Sequence, residues 1–296
     1  MNTIKNFPDF PHPKNKNEKL YFKDGKFVNY VNEDDYFKIL EFSTNTDGWS
    51  EDLTEMANHH IDINHPIDTA SREKCLEYLN NYENSEKKIV LEIGCSSGNL
   101  IDQIKVLSKY NYIASDSIKT HILKLSEYHK DIPFLVFDLL KNPFKKKFCN
   151  GIIMLNVLEH IEDDYTALIE INNLLEQNGI LILEVPSCRF LYDDYDKKLL
   201  HFRRYNMKDI ISKLESAGFK IEKKTHLGFL IFPIFFLVKI FNKIFYRIFK
   251  NDNVVITQAK ISNNYILKKL FYFEKKLKNI NLPFGIRCYI CARKIK

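Results

Sequence analysis

Residues 91–100 read LEIGCSSGNL, directly after Lys87 and Lys88 and two further apolar residues. An apolar run ends behind one acid, Glu92, and two glycines follow four apart, Gly94 and Gly98. A strand, then Gly-x-x-x-Gly, then a helix opening near Asn99 describes a loop that bends under a ligand and turns backbone N–H groups toward it. The spacing differs from the Gly-x-Gly-x-x-Gly of dinucleotide binders, whose second glycine lets the backbone approach a pyrophosphate. Ser96 occupies that place here, so a pyrophosphate ligand is disfavoured.

Outward from this loop, short apolar runs alternate with helical lengths. KIVLEIG (88–94), YIAS (112–115), PFLVFD (133–138), GIIMLN (151–156) and GILILEVP (179–186) have the length and β-branched content of strands. Amphipathic stretches such as DYTALIEINNLLEQ (164–177), closed by Asn178-Gly179, lie between them. The economical architecture is a parallel sheet with helices on both faces. The second and third strands also end in carboxylates, Asp116 and Asp138. Open α/β sheets bind ligands at the C-terminal tips of their strands, where a carboxylate reaches ribose hydroxyls. A series of acid-tipped strands therefore points to a nucleoside-type ligand lacking phosphates.

The 296 residues, 45% of them hydrophobic, suffice for one large domain with an appendage. A net charge of +6 suits anionic partners or a membrane surface but falls short of a nucleic-acid signature, so no nucleic-acid partner is expected. MNTIKNFPDFPHPKNKNEKL at the N-terminus has no apolar stretch of the signal-peptide kind, and a cytoplasmic location is expected. Six scattered cysteines suit reduced thiols. Cys288 and Cys291 lie in IRCYICARK, where a strand would put them on opposite faces. With no second ligand pair at metal-binding spacing, no metal site is expected.

Four regions follow from these patterns. Residues 1–85 form an N-terminal extension, with a hairpin signal at Asp24-Gly25, Trp49 in the polar stretch TDGWSED, and a helix in SREKCLEYLNNY. Residues 86–228 form the core, 229–280 an apolar and basic helical insertion, and 281–296 a last strand. In FLIFPIFFLVKIFNKIFYRIFK (229–250) Pro233 and four basic residues break the apolar run, which excludes a membrane-spanning helix. Lys239, Lys243, Arg247 and Lys250 share one helical face. The segment reads either as a packing helix with a solvated basic edge or as a membrane-surface contact. The whole insertion is expected to act as a lid over the C-terminal edge of the sheet.

Residues 88–186 resemble a class I S-adenosylmethionine-dependent methyltransferase. LEIGCSSGNL, SDS (115–117), FDLLKNPF (137–144), NVLEHI (156–161) and LLEQNGILILEVP (174–186) carry the resemblance. It implies an α/β, Rossmann-like sheet of seven mostly parallel strands with helices on both faces, its antiparallel strand supplied by IRCYICARK. It implies S-adenosyl-L-methionine as cofactor and S-adenosyl-L-homocysteine as product. By position, Gly94 and Gly98 with the loop of Cys95, Ser96 and Asn99, beside Glu92, would hold the methionine part. Asp116 with Ser117 would hold the ribose, and Asp138 with Leu139 the adenine edge. Asn156, Glu159 and His160 would line the mouth of the fourth strand. Ser96 and Asn150 depart from the residues that many relatives have, Gly and Asp. Beyond residue 190, HFRRYNMKDI, FLIFPIFF and YFEKKLKNINLPFG are similar to bacterial methyltransferases found with glycan- and lipid-assembly enzymes. That implies a small-molecule or glycan- or lipid-linked acceptor. Nothing in the sequence sets an oligomeric state.

Methyl transfer from a sulfonium is an in-line displacement that needs alignment and requires no metal. An oxygen or ammonium acceptor must still lose a proton, and a histidine titrating near neutrality suits that task. His160 is the candidate catalytic base; the alternative is a residue that caps the next helix or packs beneath the cofactor. His201, Arg203, Arg204 and Tyr205 are candidate substrate-binding residues, because guanidinium groups hold carboxylate or phosphate at two points. Pairing with Asp193, Asp194 or Asp196 is the structural alternative. Glu92 reads as structural or cofactor-orienting, and Cys95 as a small packing side chain. A rival function, a non-catalytic membrane-peripheral binding protein on the same fold, rests on residues 229–250.

Overall fold

Side chains alternate along a strand, so each apolar run here feeds two cores, one on either side of a sheet. The computed structural model describes residues 7–42, 65–82, 88–107, 110–144, 147–249, 265–277 and 280–295. Four short strands come first: β1 (Phe10–Pro11), β2 (Lys19–Lys23), β3 (Lys26–Asn29) and β4 (Tyr36–Phe37), an antiparallel sheet of their own. Asp24 and Gly25, both at positive φ (49° and 78°), turn β2 into β3, as the hairpin signal predicts.

The main sheet comprises β5 (Leu40–Glu41), β6 (Lys88–Ile93), β7 (Tyr110–Asp116), β8 (Phe134–Val136), β9 (Cys149–Leu155), β10 (Leu175–Pro186), β11 (Phe219–Leu227) and β12 (Arg287–Lys294). Their order is β11-β12-β10-β9-β6-β7-β8-β5. Every pairing is parallel except those of β12, which runs against both β10 and β11. The seven expected strands are joined by an eighth. It comes from the N-terminal extension, with Leu40 opposite Leu135 and Glu41 opposite Val136.

One face of the sheet packs Leu91, Ile93, Ile152 and Leu181 against α4 (Asp164–Leu174) and α6 (Met207–Ser216), through Leu168, Ile171, Ile210 and Leu214. Phe10, Leu20 and Phe27 of the small sheet join this same cluster and are fully buried. The other face packs Val90, Tyr112, Phe134 and Ile182 against α1 (Pro66–Asn80), α2 (Ile101–Val106) and α3 (Lys119–Tyr128). A short α5 spans Asp194–Lys198, with Asp193 and Asp196 forming a capping box. Helix α4 ends at Leu174, three residues before the expected end. There the Lys294 ammonium donates to the Asn172 and Leu175 carbonyl oxygens (2.6 and 2.8 Å), and the chain enters β10 at once.

Two further helices, α7 (Phe232–Phe249) and α8 (Tyr265–Lys275), make up the insertion. Helix α8 lies along α1, where Phe271 meets Ile67, and Glu274 accepts the backbone N–H groups of Gly228 and Leu230. Helix α7 meets the turn Arg189–Leu191 beyond the tip of β10. Lys239 corrects the expected solvated basic edge. It is 2% exposed and its ammonium donates to Asp193 (2.7 Å) and Asp196 (3.2 Å). The side chains of Lys243, Arg247 and Lys250, and Trp49, lie outside the described residues. Among the described residues no helix is long and apolar enough to cross a membrane.

Candidate functional site

Because β8, β7, β6 and β9 are consecutive in the sheet, their C-terminal tips stand side by side. That brings together the loop 94–98, Asp116, Asp138 and Asn156, four features spread over sixty residues of sequence. The loop is fastened to β7. Gly94 and Cys95 both donate their N–H groups to the Ser115 carbonyl oxygen (2.9 Å each), and the Ser96 N–H donates to Asp116 Oδ2 (2.8 Å). Gly94, Ser96 and Gly98 all have positive φ (81°, 47° and 74°), so the backbone turns sharply three times. A Cβ at Gly94 would stand 2.3 Å from Val157 Cγ2. Gly94 therefore makes room for a side chain at the mouth of β9.

Asp116 also accepts the Ile118 N–H at Oδ1 (2.9 Å), and keeps partial exposure. Its low-dielectric surroundings raise the carboxyl above its usual range against the pull of those N–H groups. Ser117 is partly exposed beside it, and Asn99 lies exposed at the far end of the loop. Asp138 Oδ1 accepts the Leu140 N–H (3.0 Å), while Leu139 is buried. Cys95 is buried and its thiol is pushed well up by that burial, which agrees with a packing role. Glu92 lies under the loop, in the core, with Tyr112 donating to its carboxylate; burial and the charge of Asp116 push it up to about 8.

Asn156 has a positive φ (53°) and is occupied by a neighbour: its amide donates to Glu184 Oε1 (2.5 Å), which Arg287 also reaches (2.7 Å). Arg287 bonds Asp68 of α1 as well (2.6 Å). Glu184 reads in sequence as one polar residue inside an apolar strand. Its partners, 28 and 103 residues away, leave no local signal.

Glu159 and His160 lie in the single turn Leu158–His160 that follows β9. Glu159 is 1% exposed and no donor from another residue reaches either carboxylate oxygen; burial pushes it up to about 8. His160 corrects the expectation of a base titrating near neutrality. Burial, with His201 beside it, pushes its imidazole down to about 3, so it is neutral at pH 7 and holds a proton weakly.

The substrate-binding cluster is also revised. Arg204 and Tyr205 are buried and face no cleft. The Arg204 guanidinium bonds Asp196 through Nε and Nη2 (2.8 Å each), and the Tyr205 hydroxyl donates to Asp164 (2.9 Å). Arg203 is partly exposed but pairs with Asp164 (3.0 Å), which Lys213 also holds. His201 lies beside His160, its ring edge-on to that of His160 with centroids 4.6 Å apart. Burial opposes ionisation of Asp196, but its bonds to His201 and Arg204 outweigh this and hold the carboxyl well below the usual range. For His201 and Arg204 the structural alternative, pairing with Asp196, is the arrangement found, whereas Arg203 and Tyr205 turn to Asp164.

A family model described as a methyltransferase domain matches residues 67–224. A protein from Galdieria sulphuraria, described as a candidate sarcosine dimethylglycine methyltransferase, superposes with a TM-score of 0.57 at 12% identity, over 82% of this chain and 98% of that one. The phosphoethanolamine N-methyltransferase 2 of Haemonchus contortus, solved with S-adenosyl-L-methionine, gives 0.50 at 13% identity, over 76% and 53%. The [4+2]-cyclase SpnF gives 0.51 at 14%, over 76% and 80%. At such identities the likeness is one of fold, the mostly parallel, Rossmann-like sheet with helices on both faces. Comparison with curated proteins finds no match.

Proposed function

Because the chain belongs to the methyltransferase-domain family, whose donor is S-adenosylmethionine, we propose that it methylates an oxygen or nitrogen of a small molecule or lipid-linked intermediate. The observation that carries this is the row of adjacent tips: a glycine loop, Asp116, Asp138 and the mouth of β9 on four neighbouring strands. The residues fit such a donor. Asp116 keeps acceptor capacity beyond the N–H groups of Ser96, Ser117 and Ile118, and the side chain is not closed off.

The loop 94–98 holds the methionine part, Asp116 with Ser117 the ribose hydroxyls, and Asp138 with Leu139 the adenine edge. When bound, the sulfonium would supply an electrophilic methyl carbon, its bond to sulfur breaking as its bond to the acceptor atom forms, to leave S-adenosylhomocysteine, with the acceptor's proton passing to solvent. The chain's own work is alignment of that line and exclusion of water. His160 is assigned to orienting the acceptor, not to storing its proton. Exposed rings of Phe190 and Phe202, on segments beside the C-terminal edge, support an acceptor with an apolar part.

Calorimetric titration of the protein with S-adenosylmethionine and S-adenosylhomocysteine tests the reading. Both should bind, and Asp116→Ala should weaken them at least about tenfold, the effect of losing ~1.4 kcal/mol. No heat with either ligand would overturn the proposal. Unchanged affinity in the variant would remove Asp116 from the site.

A further inference from the structure

Forty residues separate Glu159 and His160 from His201, yet one ligand atom of each lies within 4.8 Å of the other two. We propose that these three side chains bind a divalent first-row transition-metal ion beside the mouth of β9. The expectation of no metal looks to cysteine pairs; this cluster is formed by the fold.

Glu159 is the first ground. A carboxylate so fully buried is costly unless it is hydrogen-bonded, paired or bound to a metal. No donor from another residue reaches either oxygen. The nearby guanidinium groups are engaged elsewhere, Arg204 with Asp196 and Arg287 with Glu184 and Asp68. A cation between Glu159 and the histidines supplies the missing partner.

His201 is the second ground. Its Nδ1 meets Asp196 Oδ1 at 3.1 Å, and Asp196 is fixed by Arg204 (2.8 Å) and Lys239 (3.2 Å). An Nδ1–H donated to a held carboxylate leaves the lone pair on Nε2, which is how proteins fix a histidine for a metal. The segments are also fastened to each other: the Phe202 N–H donates to the Glu159 carbonyl oxygen (2.9 Å), and the Tyr192 hydroxyl to that of His201 (2.7 Å). The ligand atoms are thus gathered without an ion.

Proximity alone is not the criterion. His12, Glu18 and Asp35 form a second such group, but protein partners occupy it. His12 Nε2 meets Asp35 (3.0 Å), its Nδ1 accepts the Lys14 and Asn15 N–H groups, and Glu18 holds Asn15 and Asn29.

Two imidazoles and one carboxylate suit zinc, iron, cobalt or manganese, and suit calcium or magnesium poorly, since these prefer oxygen donors. Three protein ligands leave coordination positions open, and both histidines keep partial exposure through which a ligand can arrive. An acceptor hydroxyl bound there would release its proton to solvent more readily. That use of the ion rests on the methyltransferase reading; the binding of the ion does not.

The test titrates chelator-treated full-length protein with Co2+, read by visible absorption, and measures Zn2+ retained after gel filtration by elemental analysis. About one equivalent should bind, Zn2+ should displace Co2+, and Glu159→Gln and His201→Ala should each lower affinity by about tenfold or more. Circular dichroism reports whether each variant folds; if one does not, the wild-type titration still decides. A wild type that takes up neither ion overturns the inference, as does unchanged affinity in folded variants. Donor calorimetry run alongside separates the failures. Donor binding without metal sinks this inference alone, and metal binding without donor sinks the proposed function alone.

Discussion

Glu92 shows how a single position at the loop works through burial. It belongs to the core, its carboxylate accepts from Tyr112, and it is pushed up to about 8 by burial and by Asp116. Its folded-state value therefore lies above the ordinary carboxylate value of the unfolded chain, and between the two the native state binds more protons. Stability from this group is complete below about pH 4 and is lost as the pH rises toward 8. Glu92→Gln keeps the shape without the titration. The melting temperature of the variant relative to wild type should rise between pH 5 and pH 9 by at least about 4 °C, the effect of ~2 kcal/mol in a chain of this size. A difference that stays flat with pH would mean that Glu92 is ionised in the fold. Gly94 teaches a related point. The need for glycine is legible in the sequence, but the structure gives Val157 as the side chain it must clear, and that contact links two strands far apart in the chain.

At the scale of elements, the inward-facing charge of Lys239 ties helix α7 to the core. Four basic residues at helical spacing read as a solvated face because periodicity reports a direction on the helix and not what lies opposite. Opposite Lys239 lie Asp193 and Asp196, which the capping box of α5 presents together. The same Asp196 fixes His201 and Arg204, so α7, α5 and the segment 201–204 share a single buried ionic junction. Removing one partner of such a junction leaves uncompensated charge. Lys239→Ala should cost about 3 kcal/mol or more by chemical denaturation, and should speed amide exchange in α7 and in residues 189–201 ahead of the sheet. A loss below about 0.5 kcal/mol, in the range of a surface pair, would show that the junction contributes little. The existence and type of the strands, by contrast, are legible, because a run buried on both faces has no use for polar side chains. Their ends are not, since β10 opens at Leu175, four residues ahead of its apolar run, and β8 keeps three of the six residues of PFLVFD.

The molecule as a whole is more continuous than its sequence suggests. Residues before 86 are polar enough to read as an appendage, yet they supply α1, the edge strand β5 and a small sheet that shares the core with α4 and α6. The reason lies in a few large side chains and not in overall hydrophobicity. Phe10 packs edge-on to Phe27 (4.9 Å between centroids) and meets Phe148 (5.9 Å), while Phe42 meets Phe144 (5.5 Å). Phe10, Leu20, Phe27 and Leu40 are all fully buried. At about 1.5–3 kcal/mol each, four such side chains contribute on the order of 6–12 kcal/mol, which equals the whole net stability of an ordinary domain. Deleting residues 1–42 would also strip β5 from β8 and leave the last parallel strand with an open edge. The truncated protein should therefore fail to give a cooperative melting transition and should elute as aggregates on gel filtration. The glycine loop and Asp116 follow β6 and β7 inside the sheet, while Asp138 and Leu139 follow β8 at that edge, so donor binding should be lost with the fold, and S-adenosylmethionine should raise the melting temperature of the full chain only. A truncated protein that melts within a few degrees of the full chain and binds the donor equally well would show that the small sheet is an ornament on a self-sufficient core.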